Sequence, residues 1–326
     1  MDNSKILLEV KNLRKIFQIR KGILKQVAGE VKAVDDISFT IREGETFSLV
    51  GESGCGKSTT GRMILNLIKP TGGEIIFDGI SLQSISKSEM HQVRQKMQMV
   101  FQDPYASLNP KMTIENIITE PYVIYGIGTP QERHEWAVSL MNDVGLSDYH
   151  LNRYPHEFSG GQRQRIGIAR AIALHPKLIV CDEPVSALDV SVRAQVLKLM
   201  KDLQKKYNLS YLFISHDLSV VKHISDRVAV MYLGKIMEIG TKTEIFKNPQ
   251  HPYTSALLSA IPIPDPEKQK EVIPLQGDVP SPLHPPTGCV FHPRCSCCSE
   301  LCKTTVPQLT PIVESHLSAC HLVNAK

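Results

Sequence analysis

The sequence predicts an α/β protein, a mostly parallel sheet with helices packed on it, followed by a small Pro- and Cys-rich extension. Three observations carry this expectation. Short apolar runs alternate with stretches of helical spacing as far as residue 247, and a glycine-rich turn joins one such run to one such helix. Beyond Asn248 the composition changes: 13 of the 21 Pro lie there, and six of the eight Cys lie between Cys289 and Cys320. Strands alternating with helices imply parallel pairing, because each helix carries the chain back to the same end of the sheet. At 326 residues, 42% apolar and 21% charged, the composition is that of an ordinary globular protein of about two domains. The net charge of +4 is mild and scattered, which argues against a nucleic-acid partner. The apolar runs stop far short of the roughly 18 residues of a membrane span. The opening MDNSKILLEVKNLRK places charges where a signal peptide needs an apolar stretch. A cytosolic chain is expected, unless a partner holds it at a membrane.

Taken in order, residues 6–10 and 37–41 read as strands, and 46–50 (TFSLV) as a short buried one. A helix is expected over 57–68, stopped by Pro70 and Gly72–Gly73. Residues 74–77 alternate as a strand ending at the Asp78–Gly79 turn signal. About 105–175 is mostly helical by its spacing. Residues 178–181 form a buried-strand run, 192–207 a helix and 211–214 a strand. The runs 228–232 and 235–239, either side of Leu233–Gly234, read as a hairpin. After Asn248 the prolines are expected to end regular structure except for a short helix over 254–260, with 262–288 as an extended connection.

Residues 51–58 read GESGCGKS, which matches G-x-x-x-x-G-K-[ST] between a strand and a helix. In such a loop (Gly51, Ser53, Gly54, Cys55, Gly56, then Ser58 and Thr59) backbone N–H groups turn onto phosphate oxygens at a helix N-terminus. Lys57 would reach the β- and γ-phosphates and Ser58 would ligate Mg²⁺. The plain alternative is a glycine-rich turn that happens to contain Lys-Ser. Residues 178–183 read LIVCDE, an apolar strand ending in two acids. Asp182 stands where a carboxylate holds Mg²⁺, and Glu183 where one orients or deprotonates an attacking water. Kinases, GTPases and several ATPase families all remain open on these two motifs.

Residues 159–162 read SGGQ and run into RQRIGIARAIA, which resembles the signature motif of ABC-type ATPases. Ser159, Gly160, Gly161 and Gln162 would make a second anion site at a helix N-terminus, serving a neighbour's nucleotide. The resemblance implies the fold of a P-loop ABC-type ATPase cassette, a mixed sheet core with a helical subdomain over about 105–175. It also assigns further residues: Gln102 in VFQDPYASLNP as the glutamine linking Mg²⁺ to a membrane partner, and Asp189 in SALD (186–189). His216 would be the switch histidine at the γ-phosphate, and Phe17 the aromatic on adenine, with Phe39 and Phe47 nearby. Mg²⁺ would be held by Ser58, Gln102 and Asp182, and ATP hydrolysed between two cassettes with Glu183, His216 and Lys57 as catalytic groups. Phe158 departs from the family, which usually has Leu before SGGQ.

The tail narrows the family. HPYTSALLSAIP (251–262) and GCVFHPRC (288–295) resemble the C-terminal extension of ATPases serving oligopeptide and dipeptide importers. That implies a cassette over 1–247 and an extension over 248–326. It also implies a heterodimer with a paralogous ATPase subunit on two transmembrane permease subunits, at the cytoplasmic face of the membrane. An extracytoplasmic peptide-binding protein would be an indirect partner. Cys289, Cys295, Cys302 and Cys320 could hold zinc or an iron–sulfur cluster; the resemblance points to a [4Fe–4S] cluster, with Cys297 and Cys298 as extras. Rival functions are a soluble ABC ATPase acting on ribosomes or DNA, a nickel or sugar importer ATPase, an exporter, and a redox enzyme. The single P-loop, the absence of heptads and the absence of flavin or nicotinamide motifs stand against most of these.

Overall fold

The computed structural model describes residues 5–21, 26–261 and 272–324. The chain divides into two compact units that interleave along the sequence.

Unit one comprises Met1–Lys5, Arg42–Glu45 and Ser84–Ile214. Met97–Val100, Leu178–Asp182 and Ser210–Ser215 pair in parallel, with Val100 beside Cys181 and Asp182 beside Ile214. Every residue of Leu178–Asp182 is buried, which is why its apolar run does not alternate. The expected helical stretch contains Pro104–Ser107, Ile114–Tyr125, Pro130–Asp143 and Gly160–Ile172. These pack through Ile117, Ile118, Leu140, Met141, Ile166 and Ile172, all buried. Tyr122 closes this core by donating from its hydroxyl to the Ala173 carbonyl at 2.6 Å. Val190–Tyr207 is a helix, as its spacing predicts. A helix the periodicity missed spans Lys87–Lys96: only Met90 and Val93 are buried, but Ser86 and Glu89 form a capping box at its start.

Unit two comprises Ile6–Ile41, Thr46–Gln83 and Ser215–Lys326. The strands expected at 6–10 and 37–41 are much longer, Ile6–Lys21 and Gln26–Arg42. They lie beside Gly72–Phe77 and Ile80–Ser81 in one sheet, with Leu8 opposite Phe77 and Val10 opposite Ile75. Thr46–Val50 runs parallel to Arg227–Tyr232 in a second sheet, and Arg227–Tyr232 pairs antiparallel with Lys235–Thr241. The mostly parallel expectation therefore holds in unit one, whereas unit two is mixed. The helix from Lys57 stops at Ile64 rather than at residue 68, because Asn66 takes a left-handed φ of 52°.

The prolines do not end regular structure after Asn248. Pro252–Ser259 and Glu300–Thr304 are helical, and Thr310–Val313 and His316–Ser318 extend the second sheet from Lys235–Thr241. An open strand edge supplies the partner that local propensity lacks, and Pro311 is tolerated on the outer strand. Of the extended connection expected over 262–288, residues 262–271 lie outside the described residues; 272–288 carries no helix or strand. Among the described residues no helix is long and apolar enough to cross a membrane.

Candidate functional site

In unit two, the buried strand Thr46–Val50 delivers the chain into the glycine-rich loop and the helix Lys57–Ile64 leaves it. Two glycines are required by close approach. A Cβ on Gly51 (φ 147°) would stand 2.0 Å from the Met231 carbonyl oxygen, and one on Gly56 (φ 105°) 2.1 Å from that of Ala33. Ser53 and Gly54 are exposed, Ser58 and Thr59 half-buried. Lys57 is buried, and its Nζ donates to the carbonyls of Gly51 (2.8 Å) and Glu52 (2.9 Å). The ammonium is thus folded over the loop that its own backbone forms. Cys55 lies 3.7 Å from Lys57 Nζ; burial pushes its thiol up although the neighbouring ammonium pulls the other way. Phe39 and Phe47 stack on each other in the core, whereas Phe17 is 40% exposed with Lys15 Nζ 5.0 Å from its ring centroid. His216 is exposed, between Ser215 and Asp217, the latter capping helix Leu218–Ile224.

In unit one, Asp182 is buried at the end of its strand, and Glu183 follows with a left-handed φ of 48°. The Glu183 N–H donates to the Ile214 carbonyl at 2.9 Å, and its own carbonyl accepts from Ser186 Oγ at 3.0 Å. Gln102 Nε2 donates to Glu183 Oε2 at 3.0 Å, so the structure brings these two candidates together. Ser159 and Gln162 form a reciprocal capping box on Gly160–Ile172: Ser159 Oγ accepts from Gln162 N–H at 3.3 Å, and Gln162 Oε1 from Ser159 N–H at 2.9 Å. The first positions of SGGQ thus have a structural duty of their own. Asp189 is an exposed N-cap residue of Val190–Tyr207 whose side chain makes no capping bond.

In the extension, Cys289, Cys302 and Cys320 are buried, Cys295 and Cys298 half-buried, and Cys297 exposed. The Cys289 N–H donates to the Cys302 carbonyl at 2.8 Å. Burial raises the thiols of Cys289 and Cys320 and pushes Cys295 up to about 11, with neighbouring cysteines adding to each shift. As donors, four thiols suit zinc or iron–sulfur chemistry. Their placement does not suit a single ion: among the described residues no three or more His, Cys, Asp or Glu side chains gather into a group that could hold one. A zinc at Cys289, Cys295, Cys302 and Cys320 would need all four sulfurs about 2.3 Å from one centre, and that tetrahedron is not formed.

Pattern reading missed Glu52, Tyr253 and Arg294. Arg294 Nη1 and Nη2 donate to the Glu52 carboxylate at 2.7 and 3.2 Å, and the Glu52 N–H donates to Tyr253 Oη at 3.1 Å. One signal was available: Arg294 is the only arginine after Arg227.

Comparison with known proteins matches this arrangement. The model for ABC transporters covers residues 34–186, and that for the C-terminal region of oligopeptide/dipeptide transporters covers 237–302. The oligopeptide transport ATP-binding protein AppF of Bacillus subtilis is 53% identical, over 98% of this chain and 98% of its own length. A putative peptide import ATP-binding protein of Brucella ovis is 54% identical over 96% of this chain and 97% of its own. A dimeric, post-hydrolysis ATP-binding cassette bound to ADP and phosphate superposes with a TM-score of 0.64 at 28% identity, over 72% of this chain and 99% of that one. The sequence motifs, the cassette fold and full-length similarity agree: the chain belongs to the ABC transporter ATP-binding proteins that carry the oligopeptide/dipeptide C-terminal region, and is an ABC-type ATPase.

Proposed function

We propose that this chain is the energy-coupling ATPase of an importer for oligopeptides or dipeptides. It works at the cytoplasmic face of a membrane as a dimer with a paralogous ATPase, on two permease subunits served by an extracytoplasmic peptide-binding protein. The single observation that carries the mechanism is the Gln102–Glu183 hydrogen bond. It joins the acid positioned to handle water to the glutamine of the loop that meets a membrane partner. Support for peptides comes from the relatives named for peptide transport along nearly the whole chain. That full-length match also favours transport over the ribosome- or DNA-directed alternative.

In this mechanism Lys57 and the N–H groups of residues 51–59 bind the β- and γ-phosphates, and Phe17 offers its exposed ring to adenine. Ser159, Gly160, Gly161 and Gln162 present a helix N-terminus to the partner's nucleotide, with Asp189 beside that interface. Ser58, Gln102 and Asp182 would supply the oxygen ligands Mg²⁺ prefers, and the ion would neutralise charge on the phosphates. Glu183 orients the attacking water and takes its proton as the water oxygen bonds to the γ-phosphorus and the bond to the β-phosphate oxygen breaks. His216 contacts the γ-phosphate. Catalysis here is positioning and charge stabilisation, so no covalent intermediate is needed. Glu183→Gln should bind ATP like the wild type, hydrolyse it at least about 10²-fold more slowly and accumulate as an ATP-loaded dimer in gel filtration. Wild-type turnover by that variant refutes the assignment.

Cys289, Cys295, Cys302 and Cys320 are read as ligands of a [4Fe–4S] cluster. The support is the donor set and the burial of three of the four thiols.

A further inference from the structure

Glu52 is the one acid of the loop GESGCGKS, and the extension holds it at two points. Tyr253 Oη accepts from its N–H at 3.1 Å, and Arg294 forks its carboxylate at 2.7 and 3.2 Å. Arg294 comes from 242 residues further along the chain, and its side chain is 7% exposed. Nη1 also donates to Tyr232 Oη at 3.4 Å. Behind the fork, the rings of Tyr232, Tyr253 and Phe291 pack with centroids 4.8, 5.2 and 5.4 Å apart.

This pair is poorly suited to a purely stabilising role. Taking a guanidinium and a carboxylate out of water costs about what their attraction returns. Arg294 Nε is also buried with no hydrogen-bond partner among the described residues, a further penalty. The electrical effect is less ambiguous. The Glu52 carbonyl binds the same Lys57 ammonium that would meet the phosphates, so an unpaired Glu52 carboxylate would add a negative charge beside a polyanion.

We propose that Arg294 is a positioning and charge-shielding residue for ATP binding, which cancels the Glu52 charge and fixes the first turn of the phosphate loop from the C-terminal extension. This rests on residues 51–58 being the ATP site, which Lys57→Ala checks separately. If the wild type fails to bind MgATP, or Lys57→Ala binds it equally well, the site assignment fails whatever Arg294 does.

With the site established, the full-length protein is titrated with MgATP and assayed for KM and kcat. Arg294→Gln should raise Kd and KM about tenfold or more, with kcat within about threefold, as expected for a newly unpaired charge beside the phosphates. Adding Glu52→Gln to Arg294→Gln should return Kd to within about threefold of wild type, because neither charge then remains. Arg294→Lys, which keeps the charge and loses the fork, should fall between. Wild-type affinity in Arg294→Gln overturns the proposal. So does a double variant as weak as Arg294→Gln, since that result makes the contact mere support. If Arg294→Gln does not fold, the double variant, with no charge left unpaired, decides alone: near-wild-type affinity upholds shielding and weak binding refutes it.

Discussion

Glu183 illustrates how single residues are held for use. A left-handed φ on a side-chain-bearing residue costs on the order of 1–3 kcal/mol, and such strain persists only where surrounding bonds impose it. Here the Ile214 carbonyl, Ser186 and Gln102 do so. His251 is a second residue whose surroundings dictate its state. Burial drives its pKa down to about 4, against the pull of Glu238 and the Ala319 backbone, and its Nδ1 accepts from the Tyr253 N–H at 3.1 Å. The folded protein therefore keeps His251 neutral while the unfolded chain protonates it near pH 6.5. The stability this neutral form contributes is complete above about pH 6.5 and is lost as pH falls toward 4, about 3 kcal/mol in all. His251→Asn keeps a capping acceptor and removes the titration, so its urea midpoint should vary less than the wild type's across that window. A wild-type pH profile in the variant would dismiss this role. The Asp182–Glu183 pair was readable because an apolar run ends there. The strained backbone and the Gln102 contact were not, because both depend on residues distant in sequence.

At the scale of elements, caps decide more than periodicity. The helix Lys87–Lys96 is announced by S-x-x-E at 86–89 and not by an apolar stripe, since most of its faces are exposed. The same logic applies to Gly160–Ile172, where Ser159 serves as both cap and candidate phosphate contact. Ser159→Ala should cost about 1 kcal/mol in urea unfolding through the lost cap. Ser159→Asp should regain that stability while lowering ATPase activity below that of Ser159→Ala, because its charge would face a partner's phosphates. Equal activity in the two variants would mean that Ser159 caps the helix and does nothing for the nucleotide. The extension shows the opposite failure of local signals. Its prolines predict irregular chain, yet Thr310–Val313 and His316–Ser318 become strands because Lys235–Thr241 offers them an edge.

On the scale of the whole molecule, the extension and the phosphate loop belong to the same unit, although the loop lies near the start of the chain and Arg294 near its end. This is where metal content becomes informative. Protein purified without oxygen should contain about four irons and four sulfides per chain if the four cysteines hold a cluster; stoichiometric zinc without sulfide would replace that reading with the alternative. By itself the sequence determined the α/β class, the glycine-rich turn between strand and helix, the acidic strand end and the family, because these depend on short stretches whose residue types are dictated by backbone geometry. Only the tertiary structure decided that the extension continues a sheet, that no single-ion site forms among the described cysteines, and that Arg294 pairs with Glu52. Each of those depends on groups brought together from far along the chain, and contacts of that kind follow from the packing of the fold rather than from local spacing.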